Sequence, residues 1–313
     1  MMHTRRLVKA GQSSHTVSLP NEWVKKHSLK KGDIVYINES DLDLLITPEP
    51  KEQSSRKDIT INLDNKDISK IQREITSAYI NNHSTITILG KDINKRSKEI
   101  RKILHDFVAL EIAEQTSTRI VAKDLLNPKE ISIEKTIRRM DMMIRSIMQD
   151  SISSIGDKSM YESITYRDFD INRLYFLMFR ILKGALADIK IAQSYGIKNT
   201  QTLSLWYLVV NLENLADNLK NSCRLFESLK KIDPEGLKEL LKELEHSYLD
   251  VIKAYYNKDK DLAHKVASGR NAVMEKCSDY YEKNRSKELF EIMGNFKELQ
   301  TFICNIARIV IDD

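Results

Sequence analysis

From residue 130 to residue 313 the apolar residues keep a helical period with only two clear breaks, which constrains the fold more than any other feature. Ile133, Ile137, Met140, Ile144, Ile147, Met148 and Ile152 recur mostly at spacings of three and four, so a helix is predicted over 131–155. Ile171, Leu174, Leu177, Met178, Ile181, Leu182 and Leu186 give a second over 168–193, ended by Gly196 and Asn199. Leu205, Leu208, Val209, Leu212, Leu215 and Leu219 give a third over 202–226. Asp233-Pro234-Glu235-Gly236 is the second break, with Pro234 suited to a helix start. Helices over 235–256, 259–283 and 286–311 repeat the scheme, so 130–230 and 235–313 read as a tandem three-helix repeat. Only nine Gly and five Pro in 313 residues fit long helices and exclude a turn-rich all-β chain.

The N-terminal part reads differently. Within 1–48, short strands are expected at Leu7-Val8-Lys9, Thr16-Val17-Ser18-Leu19, Ile34-Val35-Tyr36-Ile37 and Leu42 to Ile46. Pro20 and Glu22 open a short helix between the second and third, and Lys25 and Lys26 close it. So few residues in four short strands make a poor core alone, so this unit is expected to be stable as a dimer. Lys51 to Lys57 reads as a polar linker. Residues 58–125 alternate: strand at 59–63, helix at 67–82, strand at 85–89, helix at 95–115 and strand at 119–122, a small β-α-β-α-β domain. Gly90 follows a strand, but no glycine-rich phosphate loop accompanies it.

Charge is concentrated at the start of the chain. Arg5, Arg6, Lys9, Lys25, Lys26, Lys30 and Lys31 face only Glu22 and Asp33, an excess that equals the net +5 of the whole protein. A twofold dimer doubles this excess on one small body, which suits a phosphate backbone as well as it suits plain solvation. Cys223, Cys277 and Cys304 form no C-x-x-C pair and no disulfide framework, which fits a reducing, cytoplasmic setting. No apolar run is long enough for a membrane span, so no membrane insertion is expected.

The run Arg5 to Lys26, with Ser18-Leu19-Pro20-Asn21-Glu22-Trp23-Val24 at its centre and Lys31-Gly32-Asp33 after it, resembles a SpoVT/AbrB-type domain of archaeal members. The resemblance implies a swapped-hairpin β-barrel, dimeric, that binds DNA or a toxin partner. The family's DNA-contacting basic positions fall on Lys9 and Lys25, and another, usually Arg, is Thr16 here. Arg5, Arg6, Lys9, Lys25 and Lys26 are the candidate DNA-binding residues. The expected fold class is multidomain and mainly α, with this barrel, the small α/β domain and C-terminal tandem three-helix bundles.

Glu213 and Asp217 are spaced i, i+4 on one helix, and Asp168 and Asn172 repeat the spacing on the helix before. Carboxylates beside a bundle core need a cation, and three of them with an amide oxygen could serve one divalent metal, or iron or zinc. The plainer reading is a solvated face, or salt bridges to Arg173, Arg180 or Lys220. Asp168-x-x-Ile171-Asn172-Arg173 and Val210 to Asn218 are similar to the PhoU family. That resemblance implies two three-helix repeats, control of phosphate uptake, and a Glu/Asp-x-x-x-Asp motif that holds metal clusters. Glu213, Asp217 and Asp168 match the motif, and Asn172 stands where Asp is usual. In the second repeat Lys297, Thr301, Arg270 and Met274 replace the acids, which leaves at most a single carboxylate site per chain. Glu243 and His246 form one E-x-x-H, where a di-iron bundle site needs two.

These readings converge on a phosphate-responsive, non-enzymatic regulator: a dimeric head on DNA and a helical body that senses a signal. The alternative is an interaction module for a phosphate transporter ATPase or sensor kinase, the head serving dimerisation only. A metal-dependent hydrolase would need an open coordination position and a positioned base, and the sequence identifies neither.

Overall fold

A computed structural model describes residues 3–39, 44–49, 57–91, 93–156, 160–229 and 233–313. The chain divides into two compact units, Met1–Lys57 and Asp58–Asp313.

In the first unit, β1 (Val8–Ala10) and β2 (Ser14–Thr16) form a tight antiparallel hairpin that pairs Lys9 with His15. Gly11 lies in the turn at φ +82°, a conformation only glycine adopts without strain. Pro20 leads into α1 (Asn21–Lys26), and β3 (Tyr36–Glu39) pairs antiparallel with β4 (Leu44–Thr47). Leu42, expected in the last strand, lies outside the described residues, as do 51–56 of the expected linker. Lys57 already begins β5 (Lys57–Asn62).

The second unit contains an α/β layer and a helical bundle, which the sequence divides into the segments 58–125 and 130–313. In the layer, α2 (Ile68–Ile80), β6 (His83–Leu89), α3 (Ile93–His105), β7 (Leu110–Gln115) and β8 (Arg119–Asp124) follow β5. Asp67 caps α2 by accepting the Lys70 N–H at 2.6 Å. The sheet order is β5-β6-β8-β7, with β8 antiparallel to both neighbours. The sheet and both helices bury Ile71, Ile75, Tyr79, Ile86, Ile88, Ile100 and Phe107 in one core. The helix predicted over 95–115 is corrected here. It ends at His105, Ala109 turns at φ +61°, and Leu110–Gln115 continues as an edge strand with a bulge between Ile112 and Glu114.

The bundle begins after a 3-10 turn with α4 (Ile133–Ser154), α5 (Tyr161–Ala187), α6 (Ile189–Ser194) and α7 (Asn199–Phe226). It continues with α8 (Pro234–Asn257), α9 (Lys260–Ser268), α10 (Arg270–Asn284) and α11 (Lys287–Asp312). Side-chain caps start several of these: Ser132 for α4, Asp233 for α8, Asp259 for α9 and Ser286 for α11. Two predicted helices are interrupted. Asp188 takes an extended backbone between α5 and α6, and Gly269 separates α9 from α10. α5 also starts earlier than expected, because Ile164 continues its buried face. α7 and α11 pack centrally and run antiparallel, since Asn211 meets Asn305 while Ser222 meets Asn295. No described helix is long and apolar enough to cross a membrane.

Candidate nucleic-acid interface and helical ion cluster

The N-terminal unit shows a surface but no interior among its described residues. None of its described residues is buried. Strand and loop residues that ought to form a core are open instead: Leu7 is 68% exposed and Ile34 71%, with Val8, Val17, Ile37 and Leu44 also exposed. Apolar side chains at this density are unfavourable in water, so the unit's strands need a covering surface.

All five candidate DNA-binding residues are exposed. Lys9 lies on β1, Lys25 and Lys26 close α1 where their charge complements the helix dipole, and Arg5 and Arg6 precede the hairpin. Among the described residues none of the five makes a salt bridge. Arg5 donates to the Thr4 carbonyl at 3.0 Å. Thr16, on β2 opposite Val8, directs its hydroxyl to the Val8 carbonyl at 3.4 Å.

In the bundle, α5 and α7 bring Asp168 and Asp217 together around Lys220. The Lys220 Nζ donates to Asp168 Oδ2 and to Asp217 Oδ1, each at 2.6 Å. Asn172 donates its amide N–H to Asp168 Oδ2 at 3.4 Å. Burial raises the Asp168 carboxyl pKa although Lys220 opposes it. Burial also pushes Glu213 up to about 7, helped by the negative charges of Asp217 and Asp168. Burial opposes the Lys220 charge, and its hydrogen bonds to the two aspartates outweigh that, so its pKa rises.

Of the cations weighed as partners for these acids, Lys220 is the one engaged. Arg180 turns to Asp124, and Arg173 stands 4.0 Å from Asp170. Among the described residues no group of three or more His, Cys, Asp or Glu is arranged to hold a metal. In the second repeat Lys297 donates to Ser278 Oγ at 2.8 Å. The E-x-x-H pair does not converge: Glu243 pairs with Lys276 at 2.8 Å, and His246 faces Asp250 at 3.5 Å. The three cysteines are buried thiols.

Sequence reasoning missed two polar joints. Arg180 forks onto Asp124, donates to Asn82 Oδ1 at 2.9 Å and lies 4.7 Å from the centre of the Tyr79 ring. Buried Asp141 accepts from Arg145 at 2.8 and 2.9 Å and from the Tyr248 hydroxyl at 2.9 Å, which ties α4 to α8. No periodicity marks the Arg180–Asp124 or the Tyr248–Asp141 contact, since those partners lie far apart along the chain.

Each part of the chain is similar to a known protein, the N-terminal β domain to a MazE-type antitoxin domain and the helical body, in its fold, to PhoU. Residues 8–54 match the family described as "Antidote-toxin recognition MazE, bacterial antitoxin". The fold is similar to the crystal structure of PhoU from Pseudomonas aeruginosa, at a TM-score of 0.52 and 16% identity, over 57% of this chain and 93% of that one. No curated protein sequence matches the chain.

Proposed function

We propose that this protein is a non-enzymatic, DNA-binding transcriptional regulator that works as a homodimer, with Arg5, Arg6, Lys9, Lys25 and Lys26 on the phosphate backbone. The observation that carries this reading is the N-terminal unit itself, which pairs exposed apolar strands with exposed cations that make no salt bridge among the described residues. A second copy covers the strands, and the doubled positive charge then attracts DNA. The likeness of this unit to a MazE-type domain supports both steps. The PhoU-like body supports the further reading that the regulated process is phosphate uptake. In that reading a signal binds two states of the body with different affinity and so changes how the dimer fits its site.

The test is fluorescence anisotropy on DNA from the protein's own upstream region, at two salt concentrations, with sedimentation to measure the dimer. Reversing Lys9 and Lys25 to Glu is expected to weaken binding ~10-fold or more and to flatten its salt dependence, while the dimer persists. A folded wild-type dimer that binds no DNA at low salt refutes the proposal. It leaves the module that docks on a transporter ATPase or sensor kinase.

A further inference from the structure

Lys220 sits where a bound cation would have to sit. Its Nζ lies 2.6 Å from a carboxylate oxygen on each of α5 and α7. The Asp168 side chain is only 7% exposed and that of Lys220 20%, so this contact is largely withdrawn from water. Asn172 presents a donor N–H to Asp168, where a metal ligand would present its oxygen. In the second repeat Lys297 donates to the hydroxyl oxygen of Ser278.

We propose that Lys220 is the permanent counter-cation of this cluster, so the α5–α7 joint is held without metal and the lysine excludes divalent ions. A divalent ion entering between Asp168 and Asp217 must displace an ammonium that is hydrogen-bonded to both carboxylates. The two positive charges would then repel at short range. Removing the ammonium while keeping an apolar stem reverses the situation. Asp168 and Asp217 then lose their counter-charge, and two facing carboxylates are left for a hard divalent cation to bridge with water completing its shell. This inference is independent of DNA binding.

The experiment uses full-length protein treated with EDTA and desalted, then melted with and without Mn²⁺, with bound metal counted by mass spectrometry. Wild type is expected to hold no stoichiometric Mn²⁺ and to shift its melting by less than about 1 °C. Lys220→Met is expected to melt lower in EDTA, to regain stability with Mn²⁺ and to bind about one ion per chain. Adding Asp217→Asn should abolish that gain. Lys220→Arg, which keeps the charge, should bind none and keeps the comparison available if the methionine variant does not fold. Stoichiometric Mn²⁺ on wild type that Asp217→Asn removes overturns the proposal. So does a folded Lys220→Met variant that binds no Mn²⁺ and melts with wild type.

Discussion

Replacing Arg180 by Met tests how the α/β layer is fastened to the bundle. The guanidinium is 5% exposed and its partner Asp124 15%, so little solvent screens the pair. The substitution keeps an apolar stem in place and leaves the Asp124 carboxylate buried, with the Leu126 N–H at 3.1 Å as a remaining donor. Removing one member of such a pair costs about 3–5 kcal/mol, because the other charge is stranded. The lost contact with the Tyr79 ring adds roughly 0.5–1 kcal/mol. For a unit of this size each kcal/mol moves the melting point by about 2–4 °C, so a fall of roughly 10 °C is expected by calorimetry. Amide exchange should quicken first where α2 meets α5. Pairing Arg180→Met with Asp124→Ala should cost less than the two changes summed, since no charge is then left alone. A single variant within ~1 kcal/mol of wild type, with unchanged exchange at α2, refutes the reasoning and makes the clasp energetically idle.

Tyr248→Phe removes the hydroxyl donor to buried Asp141 and should cost about 1.5–3 kcal/mol in denaturant unfolding, with little change if Asp141→Asn is already present. Glu213 has its pKa raised from 4.5 to about 7, so between these values the folded state holds a proton that the unfolded state has lost. Stability should therefore fall as pH rises from about 4.5 to about 7, by roughly 1–2 kcal/mol after allowing for its partial exposure, and Glu213→Gln should flatten that slope. Burial raises the thiol pKa of Cys223, Cys277 and Cys304, Cys277 to about 11, so iodoacetamide should label none in the native state and all after unfolding, read by mass.

The long helices were legible because their cores are regular. The Leu208, Leu212, Leu215 and Leu219 face of α7 is buried as its spacing requires. The α3–β7 boundary was not legible, for a local reason. Residues 106–109 contain neither Gly nor Pro, and the turn is made by Ala109 in the left-handed region, an expensive conformation for alanine. Leu110 to Gln115 is built from helix formers, yet sheet pairing with β8 overrides their propensity. At the ion cluster the spacing of Glu213 and Asp217 identified the face, and Lys220 stood among three candidate cations. Choosing among them depends on how α5 crosses α7, which no local pattern encodes. The pairing of Arg180 with Asp124 and of Asp141 with Tyr248 spans 56 and 107 residues, so neither long-range partner is readable from a local pattern.

The placement of buried charge explains more than its stability. Among the described residues of the second unit, ionic groups enter the interior at joints: Arg180–Asp124 between layer and bundle, Asp141–Tyr248 between the repeats, and Asp168–Lys220 between α5 and α7. Apolar packing is non-directional, so Leu- and Ile-rich helices can slide past one another at small cost. A buried hydrogen-bonded charge tolerates no such slip, because one turn of displacement strands it. Three such contacts fix three registers that hydrophobicity alone leaves open. Among its described residues the N-terminal unit has no counterpart, since none of them is buried. Its open apolar residues call for a covering surface instead. In the dimer proposed above that surface is a second copy, and assembly is then what places Lys9 and Lys25 for DNA.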